Sequence, residues 1–152
     1  MDQKRAYKSR FYPTDEQKQT LARTFGCCRF IYNWALRKKT DAYYKDLSAL
    51  LLLLKKQEET AWLSEVASVP LQQALRNLDR AFPNFFEGRG EYPTFKKKRH
   101  RQSATYVGTA FTWRGSALTL AKMSEPLDIV WSRPLPDGAL PTSCTITKDC
   151  AD

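Results

Sequence analysis

Apolar and polar residues alternate loosely from Ala6 to Tyr12, the rhythm of a half-buried strand, and Pro13 ends it. Thr14-Asp15-Glu16-Gln17 then fits a capping box, with the Thr14 hydroxyl on the Gln17 amide and the Gln17 side chain reaching back. Leu21, Ala22 and Phe25 carry the apolar stripe of that helix, and Gly26 reads as its stop. Cys28, Ile31, Tyr32 and Ala35 start a second stripe at helical spacing, widened by Phe30, Trp34 and Leu36 and followed by Arg37, Lys38 and Lys39. Two helices joined at a glycine have the outline of a helix-turn-helix. That signal is weak alone, because Phe30, Ile31 and Trp34 read as core and not as a groove-reading face.

A third helix is expected over Leu47–Glu59. Its run of five leucines, Leu50 to Leu54, has no polar face and needs burial or a partner surface. Ala61-Trp62-Leu63 reads as a connector that anchors an aromatic. Ser68 can cap a fourth helix with Pro70 in its first turn, and Leu71, Ala74, Leu75, Leu78, Phe82 and Phe85 share one face. Pro83 interrupts that pattern, at a cost of about 3 kcal/mol or a kink, so the helix is expected to bend there or to end and restart. Gly88 and Gly90 stop it. Beyond Tyr92–Ser103 the texture changes to strands: Ala104–Thr112, Ala117–Ala121, Leu127–Ser132 and Ser143–Thr147, separated by Arg114-Gly115-Ser116 and Pro134-Leu135-Pro136-Asp137-Gly138. The expected class is α+β, a barrel or sheet with a four-helix bundle inserted after its first strand. The expected segments are 1–13 (first strand), 14–90 (helical lobe), 91–103 (basic linker) and 104–152 (remaining strands).

Charge sharpens this picture. The 152 residues carry a net charge of +9, unevenly spread: residues 1–101 hold 21 basic and 11 acidic side chains, residues 102–152 hold 4 and 5. A basic excess confined to one part of a chain points to a polyanionic partner, most often nucleic acid. Lys96-Lys97-Lys98-Arg99-His100-Arg101 is its densest part and is expected to lie along phosphates as a flexible rail; the bland alternative is a solvated linker. Tyr92 and Phe95 precede it, and aromatics beside cations suit stacked bases. Lys4, Arg5, Lys8 and Arg10 form a second basic set on or beside the first strand.

Other chemistries find little support. The longest apolar run, Ala49 to Leu54, is far shorter than the roughly 18–20 residues of a membrane span, and the N-terminus has no apolar core of a signal peptide. The expected location is therefore cytoplasmic, in a bacterium nucleoid-associated, with no membrane partner. Cys27 and Cys28 are adjacent and far from Cys144 and Cys150, so no zinc-ribbon spacing exists and the cysteines read as small buried hydrophobes. With His100 the single histidine, no nucleophile–histidine–acid arrangement is available. The carboxylates fall on helix faces, turns and ends and read as solvated. No catalytic residue, metal site or cofactor is expected.

AYKSRFYPTDEQ, TFGCCRFIYNWAL, PLQQALRNLDRAF and YPTFKKKRHRQS occur in that order, and IVWSRPLPDG and TITKDCAD follow. Together they resemble the N-terminal half of the TnpB (OrfB) proteins of bacterial insertion sequences, relatives of type V CRISPR effectors. The resemblance implies an RNA-guided DNA endonuclease whose N-terminal half is a wedge-like β-barrel interrupted by a helical recognition lobe. Its first helices are often labelled helix-turn-helix and the protein a transposase. The family's catalytic half, an RNase H-like domain with three magnesium-binding acids and a four-cysteine zinc ribbon, has no counterpart up to Asp152. The resemblance therefore implies binding without cutting, by a truncated, incomplete barrel with guide RNA and double-stranded DNA as partners. By the same resemblance Tyr44, Gln72 and Thr109 stand at nucleic-acid-binding positions, joining Lys4, Arg5, Lys8, Arg10, Lys96, Lys97, Lys98, Arg99 and Arg101. Two departures are visible: the segment before the third helix is short and leucine-rich, and Pro83 stands where a helix former is expected. The alternatives are a stand-alone DNA-binding repressor or regulator of the same descent and an interaction module docking on a full-length homologue through its leucine run. The chain is also expected to be the front part of an interrupted gene, with an under-supported final strand and a tendency to self-associate.

Overall fold

The computed structural model describes residues 5–41 and 55–148. In order these form β1 (Arg10–Tyr12), α1 (Asp15–Asp41), a 3-10 helix (Glu58–Glu65), α2 (Ser68–Phe86), β2 (Gln102–Val107), a 3-10 turn (Gly108–Ala110), β3 (Phe111–Arg114), β4 (Ala117–Leu120), β5 (Asp128–Val130) and β6 (Ser143–Lys148). The α+β class holds.

The capping box forms as the sequence implies. The Gln17 N–H donates to the Thr14 hydroxyl at 3.2 Å, and the Thr14 N–H donates to Gln17 Oε1 at 3.0 Å. Gln17 goes further: its Nε2 donates to the carbonyls of Glu125 (3.1 Å) and Pro126 (3.2 Å), so one buried amide caps α1 and fastens the loop ahead of β5.

Gly26 does not stop the helix. Contrary to the two-helix expectation, α1 runs unbroken through it for 27 residues, about 40 Å at 1.5 Å per residue. The reason lies in the phase of the stripe. Leu21, Phe25, Cys28, Tyr32 and Ala35 keep a 4-3-4-3 spacing across the glycine, and all are buried. Each large side chain buried contributes about 1.5–3 kcal/mol. Glycine in a helix interior loses only about 1 kcal/mol against alanine.

The expected third helix lies mostly in residues 42–54, outside the described residues, as does the leucine run. At its end Lys55 and Lys56 are helical, and the Glu58–Glu65 helix follows with a kink at Thr60. The anchor of that connector is Leu63, fully buried, whereas Trp62 stays 40% exposed. In α2 the capping position is Ala67, so Ser68 is a helical residue and not the cap. Pro70 sits in the first turn, and Leu71, Leu75 and Leu78 are buried. Pro83 neither ends nor restarts α2. It lies close enough to the C-terminus to remove little of the ladder, and the helix closes just beyond it in a Schellman arrangement. Gly88, at φ +75°, donates to the Phe85 carbonyl, and Arg89 donates to that of Asn84.

Apart from β6, which runs one residue past the expected Thr147, the strand segments are shorter or broken. Ala104–Thr112 is split into β2 and β3 by the turn at Gly108, whose φ of +59° suits glycine. The strands pair antiparallel as β1–β5, β2–β6 and β3–β4, three separate two-stranded ladders. Among the described residues they do not close into a barrel, and the helices do not amount to a four-helix lobe. Closure fails for lack of strand length: β1 and β5 have three residues each. Pro134, Pro136 and Pro141 also deprive the approach to β6 of donors. β6 is paired with β2 along its six residues.

One core joins helices and strands. Ile31, Leu36, Leu63, Leu71 and Leu78 share it with Ala104, Tyr106, Leu118, Leu120 and Ile146. Tyr106 of β2 is buried and hydrogen-bonds Thr24 of α1. Burial pushes its pKa up to about 12 despite that bond. Cys27, Cys28 and Cys144 are free thiols; burial raises them to about 11, 12 and 11. They behave as the small hydrophobes the sequence suggests.

Candidate nucleic-acid interface

The basic tract is held, not loose. At its start the Asn33 side chain of α1 pairs with the Lys96 backbone in both directions: Nδ2 donates to the Lys96 carbonyl at 2.9 Å, and the Lys96 N–H donates to Oδ1 at 2.7 Å. At its end Gln102 Nε2 donates to the carbonyls of Lys98 (2.7 Å) and His100 (3.2 Å). Between the two amides the His100 N–H closes a turn on the Lys97 carbonyl at 3.0 Å. The flexible-rail expectation is thereby corrected. Two side-chain amides supply the partners a linker backbone would otherwise find in water.

The side chains divide in role. Lys96 Nζ sits 4.5 Å from the Tyr32 ring centroid, and the Arg37 guanidinium lies 5.9 Å from that of Phe95, so both cations are bound to aromatic faces. Burial raises the Tyr32 pKa. Lys97, Lys98, Arg99 and Arg101 are exposed. Of these, Lys97 and Arg101 line a cleft between the tract, α1, α2 and the start of β2, whose other polar lining includes Arg29, Gln73 and Asn77. The cleft can present cations to phosphates and amides to base edges.

The remaining expected residues are scattered. Lys4 and Tyr44 lie outside the described residues. Arg5, Lys8 and Arg10 are exposed on or before β1. There the Lys8 carbonyl accepts from the Ser132 hydroxyl, and Arg133 stacks on Tyr7 at 4.6 Å. β1 leads into the N-terminus of α1, whereas the tract is anchored at Asn33, about 27 Å further along the helix at 1.5 Å per residue. The two basic sets are thus separate places. Gln72 is exposed on α2, but it is Gln73 that lines the cleft. Thr109 is exposed in the turn between β2 and β3. Sequence reasoning missed Asn33, Arg29, Gln73 and Asn77. Arg29, Asn33 and Arg37 recur at four-residue spacing, and that polar stripe was a usable signal.

Comparisons with known proteins agree in direction. Residues 1–48 match the family model HTH_OrfB_IS605, described as a helix-turn-helix domain. A Streptomyces pristinaespiralis protein named putative RNA-guided DNA endonuclease is 57% identical over 97% of this chain and 39% of its own length. The Escherichia coli K12 putative RNA-guided DNA endonuclease InsQ is 32% identical over 81% of this chain and 33% of its own length. Virulence protein VsdF of Salmonella dublin is 40% identical over 62% of this chain and 93% of its own length. The chain thus spans between a third and two-fifths of the two endonuclease relatives.

Proposed function

Because the chain belongs to the OrfB/TnpB family of insertion-sequence proteins, we propose that it binds nucleic acid through the cleft beside α1, holding guide RNA and the target DNA duplex without cutting either. The observation that carries this is the amide-anchored basic tract. Asn33 and Gln102 fix the backbone of a segment whose exposed cations are Lys97, Lys98, Arg99 and Arg101. A preset row of cations loses less conformational freedom on binding than a free one. Arg5, Lys8 and Arg10 beside β1 form a second phosphate contact, with Lys4 ahead of them. Gln72, Thr109 and Tyr44 are assigned to binding by the family resemblance. In this reading residues 14–90 form the recognition lobe, 91–103 the phosphate-contacting tract and 104–152 the supporting strands.

Cleavage is not assigned. Among the described residues no three of His, Cys, Asp and Glu come together to hold a metal ion. No helix of the described residues is long and apolar enough to cross a membrane. A second reading, a stand-alone binding module that regulates, gains support from VsdF, which this chain matches over nearly the whole of that protein's length.

Fluorescence anisotropy with labelled RNA and duplex DNA across a salt series tests the proposal, with cleavage assayed in Mg²⁺. Salt-dependent binding with intact substrates is expected. Absence of binding at low salt contradicts it.

A further inference from the structure

Gly26 is a helix-interior glycine that no contact among the described residues explains. Its φ is not positive, and a Cβ built on it would meet nothing within 4 Å. Among the described residues neither backbone conformation nor packing excludes a side chain there, so no contact among them accounts for the missing one. A glycine in that position is explained when something outside the chain approaches the bare backbone closely.

What surrounds it narrows the visitor. Gly26 lines an open groove between α1 and the Glu58–Glu65 helix, whose lining also includes the core residues Cys27 and Val66. Phe30, Trp34 and Trp62 supply aromatic surface, and Arg23, Arg29 and Arg37 supply charge against one carboxylate, Glu65. The Trp62 indole is fixed before any partner arrives. Its Nε1 donates to the Glu59 carbonyl at 3.1 Å, and its ring meets Phe30 edge-to-face at 5.0 Å. A rigid, 40%-exposed indole beside arginines is a stacking platform for an unpaired base, and such bases are offered by the loops and ends of folded RNA. Arg29 lines both this groove and the cleft of the basic tract, so one strand can cross from one to the other.

We propose that this groove holds one unstacked base of a single-stranded RNA on Trp62, with neighbouring phosphates on Arg23 and Arg29 and the sugar–phosphate chain against Gly26. The inference rests on the nucleic-acid reading above and adds a base-binding subsite to it.

The test uses the full chain and a fluorescein-labelled 20-nucleotide single-stranded RNA, the DNA strand of the same sequence and the DNA duplex. Gly26→Ala should raise the melting temperature, and Gly26→Gln should remain folded. Gly26→Gln and Trp62→Ala should each weaken RNA-strand binding about tenfold, the scale of one base stack, while duplex affinity stays within about twofold. Trp62→Phe should recover most of the loss. Wild-type binding that neither substitution weakens overturns this inference alone. So does an equal loss on the duplex, and an equal loss on the DNA strand overturns the assignment to RNA. A wild-type protein that binds neither strand nor duplex contradicts the proposed function itself.

Discussion

The Asn33 side chain and the Lys96 backbone, 63 positions apart in sequence, exchange two hydrogen bonds as neighbouring strands do. A helix side chain thereby acts as the ladder partner of an otherwise irregular segment. Loops are ordinarily the most mobile part of a fold. Here the tract that carries the densest charge is tied to the longest helix, and Lys96 and Arg37 are drawn onto rings beside the tie.

Removing that tie should loosen the tract without unfolding the protein. Asn33→Ala is expected to lose about 1–2 kcal/mol of stability, the net worth of two partly exposed hydrogen bonds. The Lys96 amide should lose its hydrogen-exchange protection. Asn33→Asp keeps an acceptor for that amide but cannot donate to the carbonyl, so it should retain protection at Lys96 and recover only part of the stability. Urea unfolding and exchange at residue 96 measure both.

Gln17 is expected to be among the least replaceable polar side chains. Gln17→Ala strands the Thr14 N–H and the carbonyls of Glu125 and Pro126, a combined loss of about 2–3 kcal/mol, while the Thr14 hydroxyl keeps its bond from the backbone N–H of residue 17. Gln17→Glu preserves the acceptor for the Thr14 N–H but turns a carboxylate oxygen toward those two carbonyls. The proton that lets it donate is bound more tightly in the folded state. Relative to wild type, Gln17→Glu should therefore be least stable at neutral pH and recover as the pH falls. Thermal melts of both variants at pH 5 and pH 8 check the sign.

Three buried acids and one partly buried one make the fold sensitive to alkali. Cys27, Cys28 and Cys144 rise from 9.0 to about 11, 12 and 11, and Tyr106 from 10.0 to about 12, chiefly through burial. Each folded value exceeds its unfolded one. The stabilisation from holding these groups neutral is therefore complete below about pH 9 and is lost as the pH rises toward 11–12. Melting temperature should be little affected by these groups from pH 6 to 8 and fall steeply above pH 9. At pH 8 the peptides bearing Cys27, Cys28 and Cys144 should alkylate slowly in the native protein and fast in urea. Rapid native labelling of Cys27 or Cys28 would contradict the packing around α1.

Much of this was readable from residue order, and the misreadings have physical causes. The capping box at Thr14 and Gln17 is local and needed only four residues. The strand segments were visible because their β-branched residues sit between glycine and proline turns. Gly26 and Pro83 misled because each was weighed against helix propensity alone. Tertiary burial of Phe25, Cys28 and Tyr32 outweighs one glycine, and a proline close to a helix end removes little. The role of Asn33 was hidden for another reason: its partner is a backbone group far along the chain. The basic tract was found by composition, but its anchoring depends on tertiary proximity.

The central claim is that the anchored tract beside α1 binds phosphates. The most direct measurement is the salt dependence of duplex affinity for wild type and for a variant with Lys97, Lys98, Arg99 and Arg101 replaced by glutamine, in which Lys96 stays on Tyr32. Four neutralised phosphates contribute a slope of roughly −3.6 to log affinity against log salt. The variant's slope should be flatter by about that amount, its affinity reduced alike for all duplex sequences and its melting temperature preserved. An unchanged slope in a folded variant would contradict the claim and leave the tract a structural connector.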